Sequence, residues 1–105
     1  MIGTIGLTGC NQLARMGVGV TEIQAVVADP TARETVTIQG KVVNQVGLFG
    51  QGVYELQDPT GTVWVVTQTG LPAMNSTVIV KGQPQEGLSL GGRNFGVTIR
   101  EAERL

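Results

Sequence analysis

The sequence predicts a small all-β domain: a barrel of five short strands, preceded by one short helix. Glycine contributes 16 of the 105 residues and proline four, with no collagen-like period, a composition typical of many strands joined by tight turns. Apolar and polar residues alternate in several short segments, the pattern of half-buried strands. The clearest pair of segments flanks Asp58-Pro59-Thr60-Gly61, whose residue types favour a hairpin turn.

Length and charge limit the function. A chain of this size forms one domain with a modest core. Seven Lys and Arg residues against eight Asp and Glu give a net charge of −1, without the basic excess typical of nucleic-acid-binding domains. Histidine is absent and Cys10 is the only cysteine, so the commonest general base and a cysteine-rich metal site are missing. We therefore predict a protein that is not an enzyme and holds no cofactor or metal.

Residues 1–20 differ from the rest of the chain. Residues 1–9 are small, apolar and uncharged, and Cys10 follows them, so that the segment closes with Leu7-Thr8-Gly9-Cys10. This tetrapeptide resembles the lipobox of bacterial lipoproteins, which implies lipidation at Cys10, a linker after it, and a location in the bacterial cell envelope. The segment departs from that pattern because no Lys or Arg precedes the apolar run, which is short. We therefore expect residues 1–20 to be a truncated lipoprotein signal with its linker, the sequence starting inside a longer signal peptide, or else the match to be chance. A disordered terminus or an extra strand, in a cytoplasmic protein, is the alternative.

The folded domain is predicted over residues 21–105 and begins with a helix over Thr21–Ala28. Thr21 and Gln24 have the spacing of a capping box, in which the side chain of each residue accepts a hydrogen bond from the backbone N–H of the other. An apolar stripe at helical spacing follows, formed by Ile23, Val26 and Val27. Pro30 ends the helix, because the residue before a proline is disfavoured in the α region. A helix this short needs tertiary packing, so we expect it to cover apolar barrel surface.

Five strands follow. The first is predicted over Glu34–Val43, where Gly40 indicates a bulge or sharp bend. The second and third flank the Asp58 turn, in which Gly61 is expected to take a positive φ. Their inward residues are Tyr54, Leu56, Val63 and Val65, with the Tyr54 hydroxyl at the barrel rim.

The remaining two strands are predicted over Thr77–Gly82 and Asn94–Ala102. A long glycine-containing loop over residues 83–93 joins them, and a charged tail over residues 101–105 follows. In the fifth strand we expect three residues to face the core, namely Phe95, Val97 and Ile99.

The strand pattern resembles an OB-fold, a five-stranded Greek-key barrel, over Val36–Ala102. The residues that carry the resemblance are Val36–Val42, Tyr54–Val65 and Val78–Gly82. A helix and Asp-Pro before the first strand are similar to the small exported bacterial OB-fold (BOF) proteins. The core pattern is also similar to the anticodon-binding type of OB domain, which binds nucleic acid. One departure is that residues 70–76 are too few for the helix that usually joins strands three and four.

The resemblance implies that ligands bind the outer face of strands two and three and the loops beside it. Alternation turns Trp64 outward, because Val63 and Val65 face the core. The predicted ligand-binding residues are Trp64, Lys41, Gln39, Glu55, Gln57, Phe49 and Arg93. The first hypothesis is a membrane-tethered envelope lipoprotein that contacts a protein or small polar ligand. The alternative is a cytoplasmic domain that binds single-stranded nucleic acid. Neither hypothesis names the ligand or the oligomeric state.

Overall fold

The protein forms a closed five-stranded barrel with one short helix. The computed structural model describes residues 19–48, 51–90 and 93–105, apart from the side chains of residues 48, 88–90, 93 and 94. The elements are α1 (Ile23–Ala28), β1 (Val36–Leu48), β2 (Gln51–Asp58), β3 (Gly61–Thr67), β4 (Thr77–Leu90) and β5 (Arg93–Arg104). Neighbouring strands follow the order β1-β2-β3-β5-β4, and the sheet closes on itself. The predicted all-β fold class is confirmed.

The first strand belongs to both halves of the barrel. Lys41 pairs with Thr77 of β4 and also with Gln57 of β2, so β1 passes from one partner to the other at this residue. The neighbouring Gly40 allows this crossing, because a Cβ there would lie 2.9 Å from the Gln57 carbonyl oxygen. The bulge itself lies between Val42 and Asn44, at Val43, which is three residues after Gly40.

The core is formed by the inward residues of the strands together with the helix. Tyr54, Leu56, Val63 and Val65 all belong to the buried cluster, as predicted. The β1 residues Val36, Ile38 and Val42, with Val80 of β4 and Ile99 of β5, complete its strand-derived part. All eleven members of the cluster, nine from the strands and two from the helix, are at most 4% exposed. The alternation of the sequence therefore identifies most of the core.

The helix covers one end of this cluster, as expected, but its N-terminus differs from the prediction. Ile23 and Val26 are 0% and 1% exposed and lie in the core. The helix begins two residues later than predicted, and Glu22 at its N-cap makes no side-chain capping bond. The Thr21 backbone N–H instead donates to the Thr37 carbonyl at 2.7 Å. The predicted capping box is therefore wrong, because Thr21 is held against β1.

The turn between β2 and β3 satisfies the free N–H groups of the helix. Asp58 Oδ2 accepts a hydrogen bond from Ile23 N at 2.9 Å, and Thr60 Oγ1 accepts one from Gln24 N at 3.0 Å. Asp58 Oδ1 also closes its own turn by accepting from Thr60 N and Gly61 N. Gly61 pairs with Asp58 across the turn and is not among the described glycines with positive φ, so that part of the prediction is wrong.

The last two strands are longer than predicted. Residues 83–90 continue β4 and pair with β5 up to Leu90 and Arg93, where a loop over residues 83–93 was expected. The predicted charged tail is also a strand, since β5 continues to Arg104. Glycine misled the loop prediction: Gly87 has a φ of +72°, but irregular pairing between Gln85 and Leu88 absorbs it within the ladder.

Candidate binding surface around Trp64

Trp64 lies on the outer face of β3, as predicted. Its neighbours Val63 and Val65 are in the core, while Trp64 itself is half-buried. It pairs with Glu55 on β2 and, through the parallel contact of β3 with β5, with Thr98. The indole therefore stands at the middle of a three-strand outer surface.

Phe95 packs against the indole. The two ring centroids are 5.0 Å apart and the ring planes meet at 65°, an edge-to-face contact of the kind that aromatic pairs favour. Phe95 is therefore buried, as predicted, but its ring contacts the outward indole and it lies outside the main core cluster. Gly96, with its positive φ, interrupts the alternation between Phe95 and Ile99. Phe95 is 9% exposed but is absent from the core cluster.

The predicted polar residues of β1 and β2 lie on the same outer surface. Glu55 is directly opposite Trp64, and Gln57 follows it on the outward side of β2. Gln57 pairs with Lys41. A groove of about 340 Å³ lies beside them, lined by Val20, Gln39, Gly40, Lys41, Gln57, Asp58, Pro59 and Thr77. Three predicted residues thus share one groove, and Glu55 and Trp64 adjoin it along the sheet.

Three predicted functional residues are not placed by the structure. Phe49 and Cys10 lie outside the described residues. Arg93 begins β5 and pairs with Leu90, but its side chain lies outside the described part. Their roles in ligand binding and lipidation stay predictions.

The structure adds Arg100 and Thr98 to this surface. Arg100 pairs with Val66 of β3 and is exposed, so it is a neighbour of Trp64 along the sheet. Thr98 is fully buried on the outer side, and its Oγ1 has no hydrogen-bond partner among the described residues. Alternation within β5 turns both outward, but only the β3–β5 register brings them next to Trp64. The sequence carries no local signal for that register.

A buried carboxylate, that of Glu101, lies on the inner side of the β3–β5 seam, the line along which these two strands pair. Glu101 Oε2 accepts hydrogen bonds from Thr67 Oγ1 at 2.9 Å and Thr69 Oγ1 at 3.1 Å. Glu101 Oε1 accepts one from the Tyr54 hydroxyl and lies 3.6 Å from Arg104 Nη1. The Glu101 side chain is only 4% exposed. Both of its oxygens therefore have partners, as a buried carboxylate requires.

This network changes the acidity of Tyr54. Burial, followed by the hydrogen bond to Glu101 and its negative charge, raises the pKa of Tyr54 well above its usual range. The Arg104 guanidinium, centred 5.7 Å from the tyrosine ring, opposes that shift. The hydroxyl stays protonated and donates, which is the role that fits a barrel-rim tyrosine.

Within residues 19–48, 51–90 and 93–105, no three His, Cys, Asp or Glu side chains are grouped to hold a metal ion. Over the same residues, no helix has the length and apolar character needed to cross a membrane.

The barrel is similar to solved structures. Asparaginyl-tRNA synthetase from Pyrococcus horikoshii matches with a TM-score of 0.63 and 17% identity, over 82% of this chain. The OBody AM3L09, bound to hen egg-white lysozyme, matches with a TM-score of 0.56 and 17% identity, over 74% of this chain and 88% of that one. The barrel is OB-fold-like. This conclusion rests on the two matches and on the strand order, in which β3 and β5 run parallel.

These likenesses show the fold alone. The chain spans only 22% of the synthetase's length. No protein-family model matches the sequence, and no curated protein matches it. The finer resemblances to BOF proteins and to a lipobox therefore remain predictions.

Proposed function

We propose that this chain is a non-enzymatic OB-fold-like binding module, which contacts a protein or a small polar ligand through the outer surface around Trp64. The observation that carries the proposal is the position of the indole. It is half-buried on the outer face, fixed edge-on by Phe95 and flanked in register by Glu55 and Thr98. A large ring held in this way presents apolar area at little entropic cost, which is typical of binding surfaces.

The charges on the surface favour a partner that carries polar groups or charges of both signs over a polyanion. Lys41 and Arg100 lie on either side of the indole along the sheet, but Glu55 is directly opposite it. The whole chain carries a net charge of −1, whereas single-stranded nucleic acid is bound by positively charged grooves with several stacking rings. The surface offers one aromatic ring among amide side chains and charges of both signs, which suits a protein surface or a small polar ligand.

We further propose that the module is tethered to a bacterial envelope membrane by a lipid on Cys10, with residues 11–20 as the linker. The support is the sequence Leu7-Thr8-Gly9-Cys10 after an apolar run. Metabolic labelling of a bacterium that expresses the native gene with a radioactive fatty acid tests this. We expect label in the wild-type protein and none in C10A. Equal labelling of both would contradict the tether.

A second candidate function is binding of single-stranded nucleic acid by a cytoplasmic protein. It is favoured by one observation, that an aromatic ring and two cations, Lys41 and Arg100, share the outer face. One fold neighbour is a tRNA synthetase. Stacking of a base on an aromatic side chain contributes about 1–3 kcal/mol, which a fluorescence titration would detect.

The surface is tested by photo-crosslinking in cells. A benzoylphenylalanine residue at Glu55 or Gln57 is expected to form a specific adduct that excess unlabelled domain suppresses and that W64A abolishes. The same probe at Lys81, an exposed β4 residue, is the control. Adducts of equal yield from all three positions, or adducts insensitive to W64A, would overturn the proposed surface.

The same domain distinguishes the second candidate, because Trp64 is the only tryptophan. Titration with single-stranded oligonucleotides at low salt is expected to leave its fluorescence unchanged at micromolar concentration. Saturable quenching that K41Q and R100Q weaken would favour the nucleic-acid function instead.

A further inference from the structure

We infer that the cleft at the end of the β3–β5 seam binds the anionic group of a ligand whose planar part lies against Trp64. The inference rests on the proposed function, since it assumes that the Trp64 surface binds ligands. The cleft has a volume of about 290 Å³ and is lined by Val66, Gln68, Thr69, Arg100, Glu101 and Ala102.

Strand register joins this cleft to the indole. β3 and β5 pair in parallel over only three residue pairs, from Trp64 and Thr98 to Val66 and Arg100. Among the described residues the ladder ends there, and the cleft opens beside its last pair. Since alternate strand residues share a face at about 3.4 Å per residue, Val66 and Arg100 lie about 7 Å from the level of Trp64. A ligand of that length reaches both.

The charge in the cleft favours an anion. Arg100 is exposed, and no described residue accepts a hydrogen bond from its guanidinium or forms an ion pair with it. Glu101 also lines the cleft, but both of its carboxylate oxygens already have partners. Its oxygens accept from Tyr54, Thr67 and Thr69, and Arg104 is 3.6 Å away. The uncompensated charge is therefore that of Arg100.

The size and shape of the cleft restrict the anion. A volume of about 290 Å³ is at the lower limit of ligand pockets, which hold roughly 300–1,000 Å³. It accommodates a carboxylate or a phosphate, while the rest of the ligand extends over Val66 to the indole. A guanidinium binds both oxyanions through two parallel N–H donors, and the Gln68 amide at the same cleft adds a neutral donor.

The test uses paired probes, one anionic and one neutral, that share the same ring system. One pair is 3-phenylpropanoate and its amide, and the other is adenosine monophosphate and adenosine, so that a carboxylate and a phosphate are compared separately. The full chain is labelled with ¹⁵N, and binding is followed at the indole N–H of its only tryptophan and at the Arg100 Nε–H. At low ionic strength we expect the anion of at least one pair to bind up to roughly fivefold more tightly than its neutral partner, the upper end of the gain from one exposed ion pair.

Variants identify the group responsible. R100Q is expected to remove the preference for the anion and to leave the affinity of the neutral probe unchanged, while R100K retains part of the preference. K81Q, which removes the same charge elsewhere on the barrel, is the control and should keep the full preference. An equal loss in K81Q would show a general charge effect and overturn the inference.

The remaining outcomes separate this inference from the proposed function. If charged and neutral probes shift the indole resonance equally, the anion subsite is wrong while the Trp64 surface stands. If a cationic probe such as phenethylamine binds more tightly than both, Glu101 controls the cleft and the inference is wrong. If no probe shifts the indole resonance at millimolar concentration but photo-crosslinking succeeds, the surface binds only macromolecules and the subsite is again wrong.

Discussion

Asp58 Oδ2 accepts a hydrogen bond from the backbone N–H of Ile23 at 2.9 Å, so a turn of the barrel caps the helix that covers its end. The two residues are 35 positions apart in the sequence. The same carboxylate holds its own turn through Thr60 and Gly61. One side chain therefore joins the hairpin to the helix.

The first prediction is that D58A destabilises the fold. Loss of a helix cap alone costs about 0.5–2 kcal/mol, and here the turn loses its acceptor as well, so we expect a decrease of roughly 2 kcal/mol in the free energy of unfolding. Urea denaturation followed by Trp64 fluorescence measures it. D29A is the matched control, because Asp29 is an exposed aspartate at the other end of the helix, where a negative charge is unfavourable. A cost for D29A as large as that for D58A would contradict the capping role.

The contribution of Asp58 also depends on pH. Burial favours the protonated acid, but the hydrogen bonds from Thr60, Ile23 and Gly61 outweigh it and lower the pKa of Asp58 below 3.8. A folded-state pKa below the unfolded one gives stability that is complete above the unfolded value and lost as pH falls through the folded value. We therefore expect the difference in stability between wild type and D58A to shrink as the pH falls below about 4. A difference that stays constant to pH 2 would be inconsistent with this linkage.

The second prediction concerns Tyr54, the only tyrosine. Burial and Glu101 raise its pKa above the usual value of about 10. A raised folded-state pKa gives stability that is present below the unfolded value and is lost as pH rises above it. We expect no tyrosinate absorbance at 295 nm while the protein is folded, and its abrupt appearance when alkaline unfolding begins.

Circular dichroism on the same samples identifies the pH at which the protein unfolds. Protein unfolded in urea provides the reference titration of tyrosine near pH 10. E101Q is the informative variant, since it removes the negative charge but keeps an acceptor for the tyrosine hydroxyl. Tyrosinate should then form at lower pH than in the wild type. A normal titration midpoint in the folded wild type would show that Tyr54 is not held by Glu101.

The sequence predicts the barrel well where the signal is local. Alternation identifies Tyr54, Leu56, Val63 and Val65 as core residues, and all four are buried together. Residue chemistry in the turn identifies Asp58 as the residue that closes it. Both signals involve neighbours within a few positions, which is the range over which side-chain periodicity and turn geometry act.

The parts that the sequence did not predict depend on distant pairing. Glu101 was expected in a charged tail, but β5 carries it to Tyr54 and Thr67, residues 47 and 34 positions away. Arg100 reaches the Trp64 surface through a parallel register that no local pattern encodes. The helix has a capping-box sequence, yet Thr21 bonds to β1 instead, because tertiary partners replaced the local ones.

The third prediction compares two strand glycines. A Cβ at Gly82 would lie 2.3 Å from the Arg100 carbonyl oxygen, which is backbone and cannot move away without disturbing the β4–β5 pairing. We expect G82A to destabilise the protein by roughly 3 kcal/mol, the upper range for overpacking. At Gly47 of β1 a Cβ would meet nothing within 4 Å, so G47A should be neutral or stabilise by about 0.5 kcal/mol through the unfolded chain.

Urea denaturation of both variants, with the slope of the transition compared with wild type, tests this pair of glycines. Because Gly82 approaches Arg100 and the side chain of Ile99, the strain in G82A falls on the segment of β5 that borders Trp64. G82A should therefore also change the indole resonance of Trp64, while G47A leaves it unchanged. Equal stabilities for the two variants would show that β4 and β5 do not approach as closely at Gly82 as the register implies.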